Sequence, residues 1–245
     1  LTRTASLSRQ LSLFFKRYIN ELCRGNVGRG AEKFSLFGRE KKAARDVHIV
    51  YSGGDDIFLL GAWDDIVELA VDLRRVFQRF TSGKLHFSAG IGFFKDKCPV
   101  AAMARQTGAL ESLAKGLRPA KDAVALFGTS LSGRSADTIE ERAEAYGWDD
   151  FIDGVCGEKL AFLRENLAWN EAQDKTRVPF GKSKAYQLLA LLEDGGDDIQ
   201  IARFAYVLAR FAAGLHTEQK AAYERVRSQL YAWYRDKEER RQLRT

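Results

Sequence analysis

The 245-residue sequence predicts an α+β chain in two parts, a mixed sheet-and-helix domain over residues 1–130 and an all-helical bundle over residues 136–245. Three observations carry this. Runs of β-favouring residues alternate with helix-periodic stretches as far as Phe127, a linker-like Thr129-Ser130-Leu131-Ser132-Gly133-Arg134-Ser135 follows, and the apolar spacing beyond it is helical. With 45% apolar residues and only 3 Pro, the chain can bury a real core, which excludes a disordered protein.

The elements follow in order. Leu7, Leu11, Phe14, Phe15, Tyr18, Ile19 and Leu22 form one apolar stripe and predict an amphipathic helix over roughly residues 3–24. Val47–Tyr51 and Ile57–Leu60 flank Ser52-Gly53-Gly54-Asp55-Asp56, the pattern of a β-hairpin. Asp64 or Asp65 can cap a helix running through Ile66, Leu69, Leu73 and Phe77 to a stop at Gly83. Phe87–Phe94 reads as a strand whose Ala89, Gly90 and Gly92 allow close approach, Pro99 opens a helix through Leu117, and Ala123–Phe127 is a last strand. In the second part Asp137 starts a helix, with Glu140 completing a capping box. Further helices are expected over Trp148–Leu167, Lys184–Leu192, Ile199–Leu215 and about Thr217–Leu243.

Residues 1–128 therefore read α–β–β–α–β–α–β. A ferredoxin-type split βαβ sheet needs a strand before its first helix, and that strand lies in the middle of the sheet. None precedes the helix here, and the chain opens on Leu1 rather than Met, so the expectation is a C-terminal part of a longer polypeptide.

Charge and cysteine narrow the setting. Residues 1–45 hold 11 Lys/Arg against 3 Asp/Glu, while the other 200 hold 28 against 30, so the net charge of +6 resides at the front. Arg24–Arg45 has glycine and charge but little periodicity. It reads as a long mobile loop that either meets phosphates or is simply solvated. Cys23, Cys98 and Cys156 are odd in number and far apart, which argues for a reducing compartment and against a zinc or disulfide framework. No apolar run long enough for a membrane span and no signal-peptide pattern occurs, so the cytoplasm is expected.

The chemistry is sought in the hairpin. Two glycines let the backbone approach a ligand, and two carboxylates at the tip offer hard oxygens to Mg²⁺ or Mn²⁺. Adjacent strand residues point to opposite faces, so Asp55 and Asp56 share one metal only if the turn twists them together. An ordinary Gly/Asp turn is the plain alternative. The same four letters recur at Gly195-Gly196-Asp197-Asp198, but between helical runs, where Gly ends one helix and Asp caps the next.

Beyond the tetrapeptide, Val47–Gly61, Ser88–Ile91 and Ala109–Lys115 together resemble the second Palm domain of the large subunit of type III CRISPR effector complexes, the type III-A (Csm) group especially. Thr2–Phe15 resembles the helix after that domain's first strand, and Ile201–Arg210 resembles the family's C-terminal helical domain. The resemblance implies a ferredoxin-like Palm, its first strand outside these residues, that makes cyclic oligoadenylate from ATP. It implies Asp55 and Asp56 as catalytic metal ligands, Ser52 at the base or ribose, Gly53 and Gly54 against the nucleotide, and Lys115 and Lys121 on phosphate. His48 and His86 read as strand residues rather than acid–base groups. Implied partners are small helical subunits, crRNA-binding backbone and cap subunits, crRNA and target RNA. The family's nuclease-like domain is not represented, so no nuclease activity is assigned to these residues. A diguanylate-cyclase-like enzyme and a non-catalytic nucleotide-binding scaffold stay open as alternatives; the cyclase pattern Gly-Gly-Asp/Glu-Glu-Phe departs from this turn at Asp56-Ile57.

Overall fold

A computed structural model describes residues 2–38, 44–53, 56–127, 143–168, 177–193, 198–212 and 215–245. The first apolar stripe forms α1 (Thr2–Leu13), a π-turn (Phe14–Tyr18) and α2 (Ile19–Cys23). The π-turn departs from the uninterrupted helix expected. Its wider winding lets two successive rings, Phe14 and Phe15, both reach Phe77, at centroid separations of 5.3 and 5.7 Å.

The chain divides into two compact units, Leu1–Trp148 and Asp149–Thr245. In the first, β1 (Val47–Gly53) and β2 (Asp56–Gly61) form the expected antiparallel hairpin. Its inner face (Val47, Ile49, Ile57, Leu59) packs with Phe14, Phe15, Ile19 and Leu22 onto Leu69, Leu73 and Phe77 of α3 (Trp63–Thr81). The N-cap of α3 is Ala62, not an aspartate. Asp64 and Asp65 instead sit inside the first turn, where the helix dipole favours them. The helix stops as expected, with Ser82 and Gly83 both left-handed.

A second sheet in this unit holds β3 (Ala89–Gly92), β4 (Ala123–Phe127) and β5 (Ala143–Gly147), in that order; β3 pairs parallel and β5 antiparallel with β4. β5 corrects the expectation that everything beyond the linker is helical. Its five residues supply β4, buried at four of its five positions, with the ladder partner that a buried strand requires. The linker at 129–135 and the capping box at Asp137 and Glu140 lie outside the described residues. Helix α4 (Val100–Leu117) covers this sheet through Leu110 and Ala114, which pack on Ala123, Ala125 and Ala145.

The second unit opens with a π-helical stretch, Asp150–Leu160, continuing as α5 (Ala161–Asn166). The pair β6 (Leu167–Ala168) and β7 (Val178–Pro179) is a small parallel ladder, a further correction to an all-α expectation. Then come α6 (Lys182–Glu193), α7 (Asp198–Phe211), α8 (Thr217–Arg235) and α9 (Lys237–Arg244). The last predicted helix is thus broken in two. Asp236 leaves helical conformation, and its carboxylate accepts from the amides of Glu238 and Glu239 at 2.9 and 3.0 Å to start α9. Of the second Gly-Gly-Asp-Asp only Asp198, the first residue of α7, is described; Gly195, Gly196 and Asp197 lie outside. This unit's core stacks Phe204 on Tyr234 at 4.0 Å and buries Leu208, Val226 and Tyr223. No described helix is long and apolar enough to cross a membrane.

Two outcomes test this packing. A Cβ on Gly90 would lie 2.3 Å from the Thr107 carbonyl oxygen and 2.5 Å from the Glu111 amide, so β3 and α4 are in backbone contact there. Gly90→Ala is expected to cost about 1–3 kcal/mol in urea-denaturation midpoints through overpacking. Burial raises the Tyr223 phenol from 10 to about 12. Below pH 10 both folded and unfolded chains keep this proton, and it leaves stability unchanged with pH. Above it the unfolded chain ionises first, so stability falls until the folded group titrates near 12. Tyr223→Phe should flatten that part of the alkaline limb, measured as melting temperature against pH.

Candidate functional site

The hairpin is out of register by one residue along β1. Ile49 pairs with Leu59 but Tyr51 with Phe58, which leaves Val50 as a β-bulge. A one-residue insertion exchanges the faces of every residue after it. Val47 and Ile49 therefore point into the core before the bulge, and Ser52, opposite inward Ile57, points inward after it. Tyr51, Gly53 and Asp56 take the outer face.

Gly53 and Asp56 form the last rung before the tip, and Asp56 is exposed there. Gly54 and Asp55 lie outside the described residues. The Tyr51 ring folds over Gly53, where a Cβ would meet its hydroxyl oxygen at 2.9 Å and its Cζ at 3.1 Å. Tyr51 was not a candidate from the sequence, because its face is set by the bulge and simple alternation gives no sign of one. The Ser52 hydroxyl, expected at a nucleotide, donates to the carbonyl of Phe15 at 2.6 Å.

The base of the hairpin is fixed by backbone contact. A Cβ on Gly61 would sit 2.2 Å from the Asp46 carbonyl oxygen, and the Ala62 amide donates to that oxygen at 3.0 Å. What comes before β1 corrects the mobile basic loop. Its described part, residues 24–38 and 44–46, is a strap held by carboxylates spaced along one face of α3. Asp65 accepts the Asp46 amide at 2.9 Å, Glu68 the Leu36 amide at 2.8 Å, and Asp72 the Phe34 amide at 3.0 Å. Asp72 also pairs with Arg45, both side chains being essentially inaccessible to water. Val27 and Leu36 are buried, and Arg79 donates to the Val27 carbonyl at 2.8 Å. Residues 39–43 lie outside the described residues.

Lys115 lies at the end of this unit that carries the tip. Strand β2 runs away from the tip to Trp63, whose ring is 6.2 Å from that of Phe93, so β3 ends at the far side. Helix α4 runs against β3, with Glu111 at Gly90 and Thr107 at Gly92, which returns its last turn towards the tip. There Lys115 Nζ is 2.7 Å from Glu111 Oε1, with both side chains partly exposed. Lys121 follows at the start of β4 in a left-handed turn (φ 54°), and its carbonyl accepts from the Ser88 hydroxyl. Next to it, Asp122 receives Arg74 through two hydrogen bonds of 2.8 and 3.3 Å, with His86 Nδ1 at 3.7 Å. His48 lies in β1 opposite Leu60. Among the described residues no three His, Cys, Asp or Glu side chains converge as a metal site.

Residues 1–125 match the family described as Cas10/Cmr2, second palm domain. The chain belongs to the Cas10/Cmr2 family. Residues 170–245 match a second description, the Cmr2 subunit of the CRISPR RNA silencing complex, second helical domain. Among curated relatives, the "CRISPR system single-strand-specific deoxyribonuclease Cas10/Csm1 (subtype III-A)" of Mycobacterium tuberculosis is 37% identical over the whole chain, which spans 27% of that relative. Its counterpart in Enterococcus italicus is 37% identical over 99% of the chain and 25% of the relative. The chain thus spans about a quarter of the length of these Cas10/Csm1 relatives. Among solved structures, a Csm1–Csm4 cassette in complex with cA4 aligns at TM-score 0.61 and 26% identity, covering 92% of this chain and 32% of that one. Csm1 of T. onnurineus aligns at TM-score 0.59 and 27% identity, over 98% and 34% of the two chains. A Palm domain followed by a helical domain is the arrangement that this Cas10/Cmr2 chain shares with its relatives.

The strap gives a measurable expectation. Asp72→Asn leaves the buried Arg45 guanidinium without its counter-charge and should cost about 3–5 kcal/mol in chemical denaturation. An Arg45→Met/Asp72→Leu double variant should recover much of that loss.

Proposed function

We propose that this chain forms the nucleotide-joining part of a type III-A effector large subunit, making cyclic oligoadenylate from ATP at the Gly53-Gly54-Asp55-Asp56 hairpin when target RNA is bound. The observation that carries it is the exposed Asp56 carboxylate on the hairpin's last rung, beside a glycine, in a unit of the second-palm family. Related structures add chemical direction, since Csm1–Csm4 cassettes were solved with one ATP, with pppApA, with pppApApA and with cA4.

Asp56 fits a hard divalent cation, being an exposed oxygen donor at the end of β2; with Asp55 it would hold Mg²⁺ or Mn²⁺. Bound there, the metal would offset phosphate charge and lower the pKa of the attacking hydroxyl. In the reaction the 3′-hydroxyl of one ATP bonds to the α-phosphorus of another. The α–β phosphoanhydride bond breaks, pyrophosphate leaves, and the hydroxyl proton goes to solvent or base. Gly54 would let the nucleotide lie close to the backbone, as would Gly53 once the Tyr51 ring that covers it moved aside. Lys115, swung from Glu111, and Lys121 would meet the triphosphate at the tip end of the unit.

The finer topology belongs to the same proposal. In a ferredoxin-like Palm a further strand would lie between β2 and β3. Supporting this, β2 has β1 alone and β3 has β4 alone as hydrogen-bonded neighbour among the described residues. The small helical, backbone and cap subunits with crRNA and target RNA would be partners in the cytoplasm, in keeping with relatives solved as Csm1–Csm4 complexes.

The test uses the full-length subunit in its assembled complex with matching target RNA, Mg²⁺ and labelled ATP or GTP, with products read by mass spectrometry. Asp55→Ala/Asp56→Ala should lower oligoadenylate formation at least about 100-fold, since loss of mere outer-shell support already costs 10–100-fold, while assembly is spared. Conversion of GTP instead of ATP would favour a diguanylate-cyclase-like enzyme. Nucleotide binding without turnover would favour a scaffold.

A further inference from the structure

We infer that Ser52 is a positioning residue that anchors the metal-binding tip to the π-turn of the first helix, rather than a contact to base or ribose. This rests on the reading of the hairpin in the preceding subsection.

Four observations converge on it. The bulge at Val50 turns Ser52 inward, away from the outer face that carries Gly53 and Asp56. Its hydroxyl proton is committed to the Phe15 carbonyl at 2.6 Å, so it cannot be donated to a nucleotide while that bond stands. The acceptor lies in the widened stretch of helix, where the neighbouring Lys16 carbonyl is likewise taken by a side chain, Asn20 Nδ2 at 2.8 Å. And the acceptor is rigid: Phe15 is buried and stacked on Phe77 with 27° between the rings.

The consequence is mechanical. Ser52 immediately precedes the last rung, and beyond that rung come Gly54 and Asp55. Holding the Asp56 carboxylate for a metal costs entropy unless the strand paired with it is fixed. The Ser52–Phe15 bond fixes β1 one residue before the Gly53–Asp56 rung. Supporting bonds of this kind act on metal affinity and turnover rather than on nucleotide affinity.

The experiment compares Ser52→Ala, Ser52→Thr and Asn20→Ala in the complete large subunit within the RNA-bound complex. Three quantities are read: half-saturating Mg²⁺ and kcat for oligoadenylate formation, affinity for AMPPNP in EDTA, and amide exchange over residues 47–53. Ser52→Ala should raise half-saturating Mg²⁺ about 5–10-fold, lower kcat and speed exchange, with AMPPNP affinity within about twofold of the parent. Ser52→Thr, which keeps the hydroxyl, should restore most of the loss, and Asn20→Ala should leave the metal requirement unchanged. Weaker AMPPNP binding in EDTA with an unchanged Mg²⁺ requirement would make Ser52 a nucleotide contact and overturn the inference. So would unaltered exchange in Ser52→Ala. If the parent complex makes no oligoadenylate, the proposed function fails instead, and the exchange measurement still decides whether the anchor exists.

Discussion

The first unit depends on a buried ion pair. Arg45 and Asp72 meet where neither side chain touches water, and removing charge from water in this way is favourable only if the remaining polar valences are filled. Most are: Asp72 also accepts the Phe34 amide and Arg45 donates to the Leu22 carbonyl at 3.3 Å, while Arg45 Nε stays buried without a hydrogen-bond partner. One contact therefore joins α3, the end of α2 and the strap that leads into β1. Two residues later β1 begins, so the pair sets where the hairpin starts, and Asp65 and Gly61 set its angle.

From this fixed base the last rung of the hairpin, Gly53 with Asp56, is placed by two irregularities, one in each neighbouring element. The bulge at Val50 exchanges the faces of β1, and the π-turn at Phe14–Tyr18 changes the winding of the helix beneath it. Each alone disturbs a regular element. Together they put an inward hydroxyl against a helix carbonyl and leave an outward phenol, a glycine and a carboxylate on the exposed face. Irregular winding next to a predicted site is thus explained by hydrogen bonding that the regular forms would not provide.

The basic front of the chain has a different meaning from the one its composition suggests. Clustered Lys and Arg without periodicity favour a solvated arm, yet the described strap is ordered by acidic side chains 19 to 38 residues away in sequence and by burial of Val27 and Leu36. Backbone amides are its main points of attachment, and these carry no signature in residue type. A loop can thus be rich in charge and still be held mostly through its backbone amides, with Arg45 the charge of its own that enters a buried pair.

By itself the sequence determined the hairpin, α3, α4 and the helical character of most of the second unit, though not its break at Asp236, because apolar periodicity and turn residues act over a few neighbours and need no distant partner. It also raised the expectation of chemistry at Gly53, Gly54, Asp55 and Asp56, and its ordered motifs carried the family. Tertiary structure decided the rest. Ala143–Gly147 is a strand because β4 needs a ladder partner, the strap is ordered because α3 presents carboxylates to it, and Ser52 faces inward because a single inserted residue reverses the side of a strand. Each of these turns on hydrogen bonds in which a backbone amide or carbonyl meets a partner elsewhere in the chain, and nearly every residue type carries those same backbone groups.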